Sequence, residues 1–346
     1  MIDNVMLKEK AKNHNKIIRL SLFVIGSLVL FFGGWYLYPA LHGSDTQKSI
    51  KVIRENSSDY GLINPLLLVL DGGSTKAPEY NKLTNTLNSY VKDKINNKKA
   101  ESISIYFRDL NSGIWSGVDE NHLYSPASMM KVALLISCLS FSYSNPDFLD
   151  KEVYVTPNST GFDSGQSYKP KKAVVPGGTY KVRDLISFMV VDSDNNATAA
   201  LEYILGEDKI NNLLKELQLS QPKSMDSDFL SPRMYSRFYR ILYNSTYLPQ
   251  DVSENALKIL SQDDFPDGIV AGVPKNITVA QKFGERTVSD TSGNLINREL
   301  HDCGIVYLPS KPYFLCVMTK GKNFNDLQPI LSDVSKIVWD GLSDVK

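Results

Sequence analysis

Residues 125–139 read SPASMMKVALLISCL, and this stretch decides the fold. Ser125-Pro126 predicts a helix start, with proline at the first helical position. The run from 129 to 139 is apolar but for Ser137 and Lys131, the latter the only lysine between Lys99 and Lys151. Ser128 and Lys131 stand three residues apart, so on a helix they share one face. The first-turn position of Ser128 offers free backbone N–H groups that favour negative charge. An apolar wall favours the neutral amine of Lys131, and a neutral amine beside a hydroxyl is a general base beside a nucleophile. A surface lysine with a snorkelling stem is the alternative reading. The S-x-x-K pattern alone is weak, since it also occurs at Ser89–Lys92, Ser220–Lys223 and Ser343–Lys346. The apolar setting separates the Ser128 match from those three.

Outward from this helix the pattern is mixed. Leu83, Leu87, Val91 and Ile95 form one helical stripe in 79–99. Residues 102–108 alternate as a strand, Asn111-Ser112-Gly113 turns, and 114–118 returns. Residues 145–180 read as loops. Helices are predicted over 181–191, 196–205, 211–217 and 233–243. Strands follow at 279–283, 303–308 and 313–319, the last two joined by Pro309-Ser310-Lys311-Pro312, and a helix closes over 326–338. Strands at both ends around a helical middle predict an α+β domain with one antiparallel sheet.

The N-terminal end reads differently. Residues 20–38, LSLFVIGSLVLFFGGWYLY, carry no charge and would run about 28 Å as a helix, close to a bilayer's hydrocarbon core. Trp35, Tyr36 and Tyr38 cluster at one end, as interfacial aromatics do. Lys8, Lys10, Lys12, Lys16 and Arg19 precede the run against Asp3 and Glu9, which holds that side in the cytoplasm. No small-x-small cleavage site follows Tyr38. The expected organisation is a cytoplasmic tail (1–19), a single transmembrane signal anchor (20–38), a linker (39–78) in which 66–70 docks on the domain, and an extracytoplasmic domain (79–346).

Composition excludes other classes. Lys+Arg and Asp+Glu are 38 each, which leaves no electrostatic footprint for nucleic acid. Four His and three Cys, without CxxC or HExxH, give no metal site. Cys138, Cys303 and Cys316 read as small buried hydrophobes rather than a disulfide framework.

Two further motifs follow the first. Ser193-Asp194-Asn195 is the only S-D-N and falls between two predicted helices, where an ordinary helix cap is the competing reading. Lys282-Phe283-Gly284 is the only K-x-G. It lies on a predicted strand, where a glycine lets another backbone or a ligand approach closely.

S-x-x-K on a helix, S-D-N in a loop and K-x-G on a late strand, in that order, resemble the active-site serine enzymes that handle β-lactams. From about 102 to 339 the chain is similar to the class A β-lactamase and penicillin-binding protein superfamily. SPASMMK, MVVDSDNNATAAL, AGVPKNITVAQKFGE and HDCGIVYLPSKPYFLCVMTKG all look like their counterparts. The resemblance implies the β-lactamase/transpeptidase-like fold and no cofactor. It implies Ser128 as the acylated nucleophile and Lys131 as its activator. Ser193 would pass a proton to the leaving nitrogen, and Asn195 would bind the substrate amide. Lys282 would hold the relay and attract the substrate carboxylate, with Gly284 beside it. The N–H groups of Ser128 and Glu285 would form the oxyanion hole.

The sequence departs from the family pattern twice. Phe283 stands where a Thr or Ser hydroxyl usually meets the substrate carboxylate, and Phe cannot donate a hydrogen bond; Arg286 and Arg298 are the candidate replacements. Ser227 stands where class A enzymes carry the Glu that activates the deacylating water, flanked by Asp226 and Asp228, while Glu216 reads as a surface charge. The expected function is an acyl-serine hydrolase acting on β-lactams. A D-alanyl-D-alanine peptidase that deacylates slowly and a catalytically silent sensor domain are the alternatives.

Overall fold

The computed structural model describes residues 53–54, 61–63, 66–68, 80–156, 166–219, 221–222 and 227–343. Contacts divide the chain into two units, 1–53 and 54–346, and only the second is described below. The expected tail and anchor lie outside the described residues, as does most of the expected linker.

The domain begins with α1 (Asn81–Asn96), β1 (Ser102–Asp109) and β2 (Trp115–Val118), then a 3-10 turn, Ala127–Met130, that runs into α2 (Lys131–Ser144). Two short strands, β3 (Glu152–Tyr154) and β4 (Thr179–Lys181), pair with each other. The helical middle comprises α3 (Val182–Val191), α4 (Asn195–Leu205), α5 (Glu207–Glu216), α6 (Pro232–Tyr243) and α7 (Gln250–Leu260). Three long strands, β5 (Val279–Ser289), β6 (Leu295–Val306) and β7 (Tyr313–Gly321), precede α8 (Phe324–Ser343).

β1, β2, β5, β6 and β7 form one antiparallel sheet in the order β2-β1-β7-β6-β5, so strands from both ends of the domain meet in it. Side chains alternate between its faces. Ile103, Ile105 and Phe107 of β1 and Leu315 and Val317 of β7 pack with α1 and α8. Tyr106, Phe314, Cys316 and Met318 face the helical middle. The predicted α1 stripe holds at Leu83, Leu87 and Val91, while Ile95 in the last turn is 39% exposed. α2 is buried without a break from Lys131 to Leu139, as a helix apolar on all sides must be. Ala127–Ser144 is the one described helical stretch long and apolar enough to cross a membrane; its burial among α3, α5 and α7 makes it the core helix.

One expectation is corrected. Cys303 and Cys316 form a disulfide, because the β6–β7 register sets them directly opposite one another; Cys138 is a free, buried thiol, as its apolar helix suggests. The expected docking segment 66–70 lies partly outside the described residues, while residues 61–63 of the linker contact the domain. The carboxylate of Glu254 on α7 accepts N–H bonds from Gly61, Leu62 and Ile63 at 3.2, 2.8 and 3.1 Å, and Tyr307 donates its hydroxyl to the Leu62 carbonyl at 2.8 Å.

Candidate active site

Ser128 sits not in the first turn of a long helix, as the sequence predicts, but in the 3-10 turn before α2. Ala127 just ahead of it has φ +48, a left-handed value that costs a non-glycine residue roughly 1–3 kcal/mol and persists only where its surroundings enforce it. Those surroundings are on hand. Tyr235 donates to the Met129 carbonyl at 2.9 Å. His301 lies 3.1 Å from the Ser125 carbonyl through Nε2, while its Nδ1 accepts the Thr319 N–H at 3.1 Å. An accepting Nδ1 puts the ring proton on Nε2, which therefore donates to Ser125. Gly284 of β5 backs onto the same turn: a Cβ there would stand 2.7 Å from the Pro126 carbonyl oxygen and 3.0 Å from Met129 Cγ. The edge strand and the serine turn thus meet backbone to backbone.

Lys131 is only 3% exposed. Its Nζ donates to the Ser193 carbonyl at 2.6 Å, to Ser193 Oγ at 3.1 Å and to Asn195 Oδ1 at 2.7 Å. Three oxygen acceptors match the three N–H donors of an ammonium. Ser193 is buried with φ +56, a second strained residue at the site. Asp194 between them is structural: its carboxylate caps α4 at Ala197 N (2.7 Å) and takes the Val174 N–H (2.7 Å). The cap reading thus holds for Asp194, while Ser193 and Asn195 on either side turn to Lys131.

Lys282, expected to face the cleft, lies on the same face of β5 as Gly284. It is fully buried, and its Nζ bonds Asp263 Oδ2 at 2.6 Å. Phe283 points to the opposite face and stacks on Phe265 at 4.3 Å. Arg298 lies over the Phe324 ring at 5.1 Å. Glu285 holds the segment before α3: its Oε1 accepts the Tyr168 N–H at 2.7 Å. Burial raises the Glu285 pKa, against the pull of the Tyr168 and Ser167 hydrogen bonds and of Lys131. The Tyr168 ring sits edge-on to Phe265, Phe283 and Phe324, and Gln166 donates to the Ser193 carbonyl at 3.1 Å. Residues 166–168 therefore bridge the S-D-N loop and β5.

A cavity of about 200 Å³ opens beside the serine, lined among others by Ser128, Lys131, Asn195, Thr198, Glu202 and Ile210. Of the acidic residues weighed for the Ser227 region, Asp228 is drawn away, its Oδ2 bonding Lys320 Nζ at 3.0 Å; Asp226 lies outside the described residues. Glu216 ends α5 beside Tyr247. Glu202 and Asp263 escaped the sequence reading. Glu202 carries a signal, seven residues beyond Asn195 on one helical face; Asp263 carries none, since its partner lies 19 residues away on another element.

A family model described as the beta-lactamase enzyme family matches residues 83–342. The chain belongs to that family. As a beta-lactamase family member it is a serine hydrolase. Solved structures share its fold. PBP-A is 20% identical with a TM-score of 0.65, covering 78% of this chain and 100% of that one. The TLA-3 extended-spectrum beta-lactamase is 20% identical with a TM-score of 0.66, covering 76% and 98%. A class A beta-lactamase from Mycobacterium abscessus is 19% identical with a TM-score of 0.62, covering 75% and 99%. No curated protein matches the sequence.

Proposed function

We propose that this chain is a membrane-anchored, extracytoplasmic acyl-serine hydrolase that opens β-lactams through an acyl-enzyme on Ser128. The observation that supports it most is the Lys131 amino group, held between Ser193 and Asn195 one helical turn from Ser128. In the first half-reaction Ser128 Oγ attacks the lactam carbonyl carbon and gives its proton to Lys131 in its neutral form. Ser193 Oγ, 3.1 Å from Lys131 Nζ, relays a proton to the lactam nitrogen as the C–N bond breaks. The N–H groups of Ser128 and Glu285, across the contact of Gly284 with the serine turn, stabilise the oxyanion. Asn195 orients the substrate amide. Lys282 is buried with its charge matched by Asp263, so it supports the carboxylate subsite less than a free lysine would. A fluorescent penicillin mixed with the purified chain should label Ser128 with a burst near one equivalent, followed by a slower steady phase. No labelling of the wild type would overturn the reading.

A D-alanyl-D-alanine peptidase is the second reading, favoured by Ser227 where a water-activating Glu is expected. A hydroxyl is a poor base near neutral pH. Stable labelling together with release of D-alanine from a D-alanyl-D-alanine peptide would select it.

The anchor is tested separately. Protease added to intact cells should digest the domain and spare the basic tail before residue 20. A protected domain, or a mature chain starting near residue 40, would refute the uncleaved anchor.

A further inference from the structure

Among the described residues of the Ser227 region, the acyl-enzyme reading finds no base for the second half-reaction. Ser227 has only a hydroxyl, and Asp228 is tied to Lys320. The cavity beside Ser128 supplies a carboxylate from another element. Asn195, Thr198 and Glu202 lie at i, i+3 and i+7 of α4, one face of the helix. At 1.5 Å per residue the Cα of Glu202 lies about 10 Å along the axis from that of Asn195. Helical side chains lean toward the N-terminus, so Glu202 leans toward Asn195 and Lys131. All four residues, with Ser128, line the same cavity, and Glu202 is the one carboxylate in its described lining. At roughly 30 Å³ per water, about 200 Å³ holds several water molecules. Glu202 is exposed to solvent.

We propose that Glu202 is the general base of deacylation. A cavity water attacks the carbonyl carbon of the Ser128 ester, and its proton passes to the Glu202 carboxylate. The tetrahedral adduct collapses with cleavage of the C–Oγ bond, Ser128 Oγ recovers the proton from Glu202, and the product leaves as a free acid. The role rests on the acyl-enzyme reading above and completes it. The environment agrees with the role: partial burial raises the Glu202 pKa, Lys131 opposes the rise, and Glu207 adds to it. A base poised closer to neutral pH than an ordinary glutamate transfers protons more effectively.

The test follows the full-length chain with a fluorescent penicillin. Glu202→Gln should leave the labelling burst unchanged and slow release of the label by about 10²–10⁴-fold, the usual worth of general-base help. Glu202→Asp should recover part of that loss. The wild-type release rate should fall as pH drops through the raised Glu202 pKa, and this dependence should vanish in Glu202→Gln. Release from Glu202→Gln at the wild-type rate with an intact burst overturns the proposal and spares the acyl-enzyme reading, as does wild-type release no faster than hydrolysis of a simple serine ester. A wild type that never labels overturns both.

Discussion

Lys131→Ala is expected to slow acylation of Ser128 by about 10²–10⁴-fold, the usual worth of general-base help, and Ser128→Ala to abolish it. The argument is geometric. Lys131 is the charged residue in the buried stretch of α2, and its donors reach Ser193 and Asn195 at 2.6–3.1 Å. In the proposed reaction it would carry two roles, taking the serine proton and holding the S-D-N loop beside the serine turn. Alanine removes both and leaves the buried Ser193 carbonyl without that donor, which costs stability of its own. Lys131→Met keeps the buried stem and loses the donors and the base, so comparison with alanine isolates the packing loss. Stopped-flow labelling gives the acylation rate, and a thermal melt gives the stability. If Lys131→Met acylates at the wild-type rate, Lys131 is not the base. If Ser128→Ala is still labelled, the nucleophile lies elsewhere.

The parts of this site legible in the sequence are those where chemistry and local geometry share one short segment. Ser128 and Lys131 stand a turn apart, and Ser193 and Asn195 flank one loop residue; the fold brings the two segments together. The strands β1 and β7 are legible because they are buried on both faces almost without a break, which favours short apolar, aromatic and β-branched runs. The first half of β6 is not, because Leu295 and Ile296 are exposed and the polar residues after them break the apolar signal. α7 was missed for a similar reason, as QDVSENALKIL mixes polar and apolar residues and lacks a side-chain N-cap bond. The Ser125-Pro126 start signal misplaced the helix because tertiary contacts at Ser125, Met129 and Gly284 impose a 3-10 turn there instead. The disulfide depends on the β6–β7 register, which the cysteine spacing alone does not specify.

Asp263→Asn is expected to cost about 3–5 kcal/mol of stability, the usual penalty for stranding one partner of a buried ion pair, whereas Asp302→Asn should be close to neutral. Both acids are fully buried beside Lys282, where two negative charges against one positive would leave an uncompensated ion. Burial pushes Asp263 up to about 6, with Lys282 pulling the other way. Burial, with the charge of Asp263 behind it, raises Asp302 well above an ordinary carboxyl. At neutral pH the arrangement that balances is Lys282 charged, Asp263 charged and Asp302 protonated. Asp302 Oδ2 still accepts the Ile269 N–H at 2.8 Å, and an asparagine oxygen can do the same without charge. The sign of the pH dependence follows from the raised pKa. The folded state binds the Asp302 proton more tightly than the unfolded chain does, so this contribution is complete below the unfolded carboxyl pKa and is lost as pH rises through the folded value. The wild type should therefore lose stability relative to Asp302→Asn progressively as pH rises from the ordinary carboxyl range to the folded value. Thermal melts of wild type, Asp263→Asn and Asp302→Asn from pH 5 to about pH 9 decide it. An Asp302→Asn variant as unstable as Asp263→Asn at neutral pH would mean that Asp302, not Asp263, carries the charge that balances Lys282. The consequence reaches the site, because Lys282 and Gly284 lie on the same edge strand and Gly284 abuts the turn that presents Ser128. A loosened Lys282–Asp263 pair should then slow acylation in Asp263→Asn as well as lower its melting temperature.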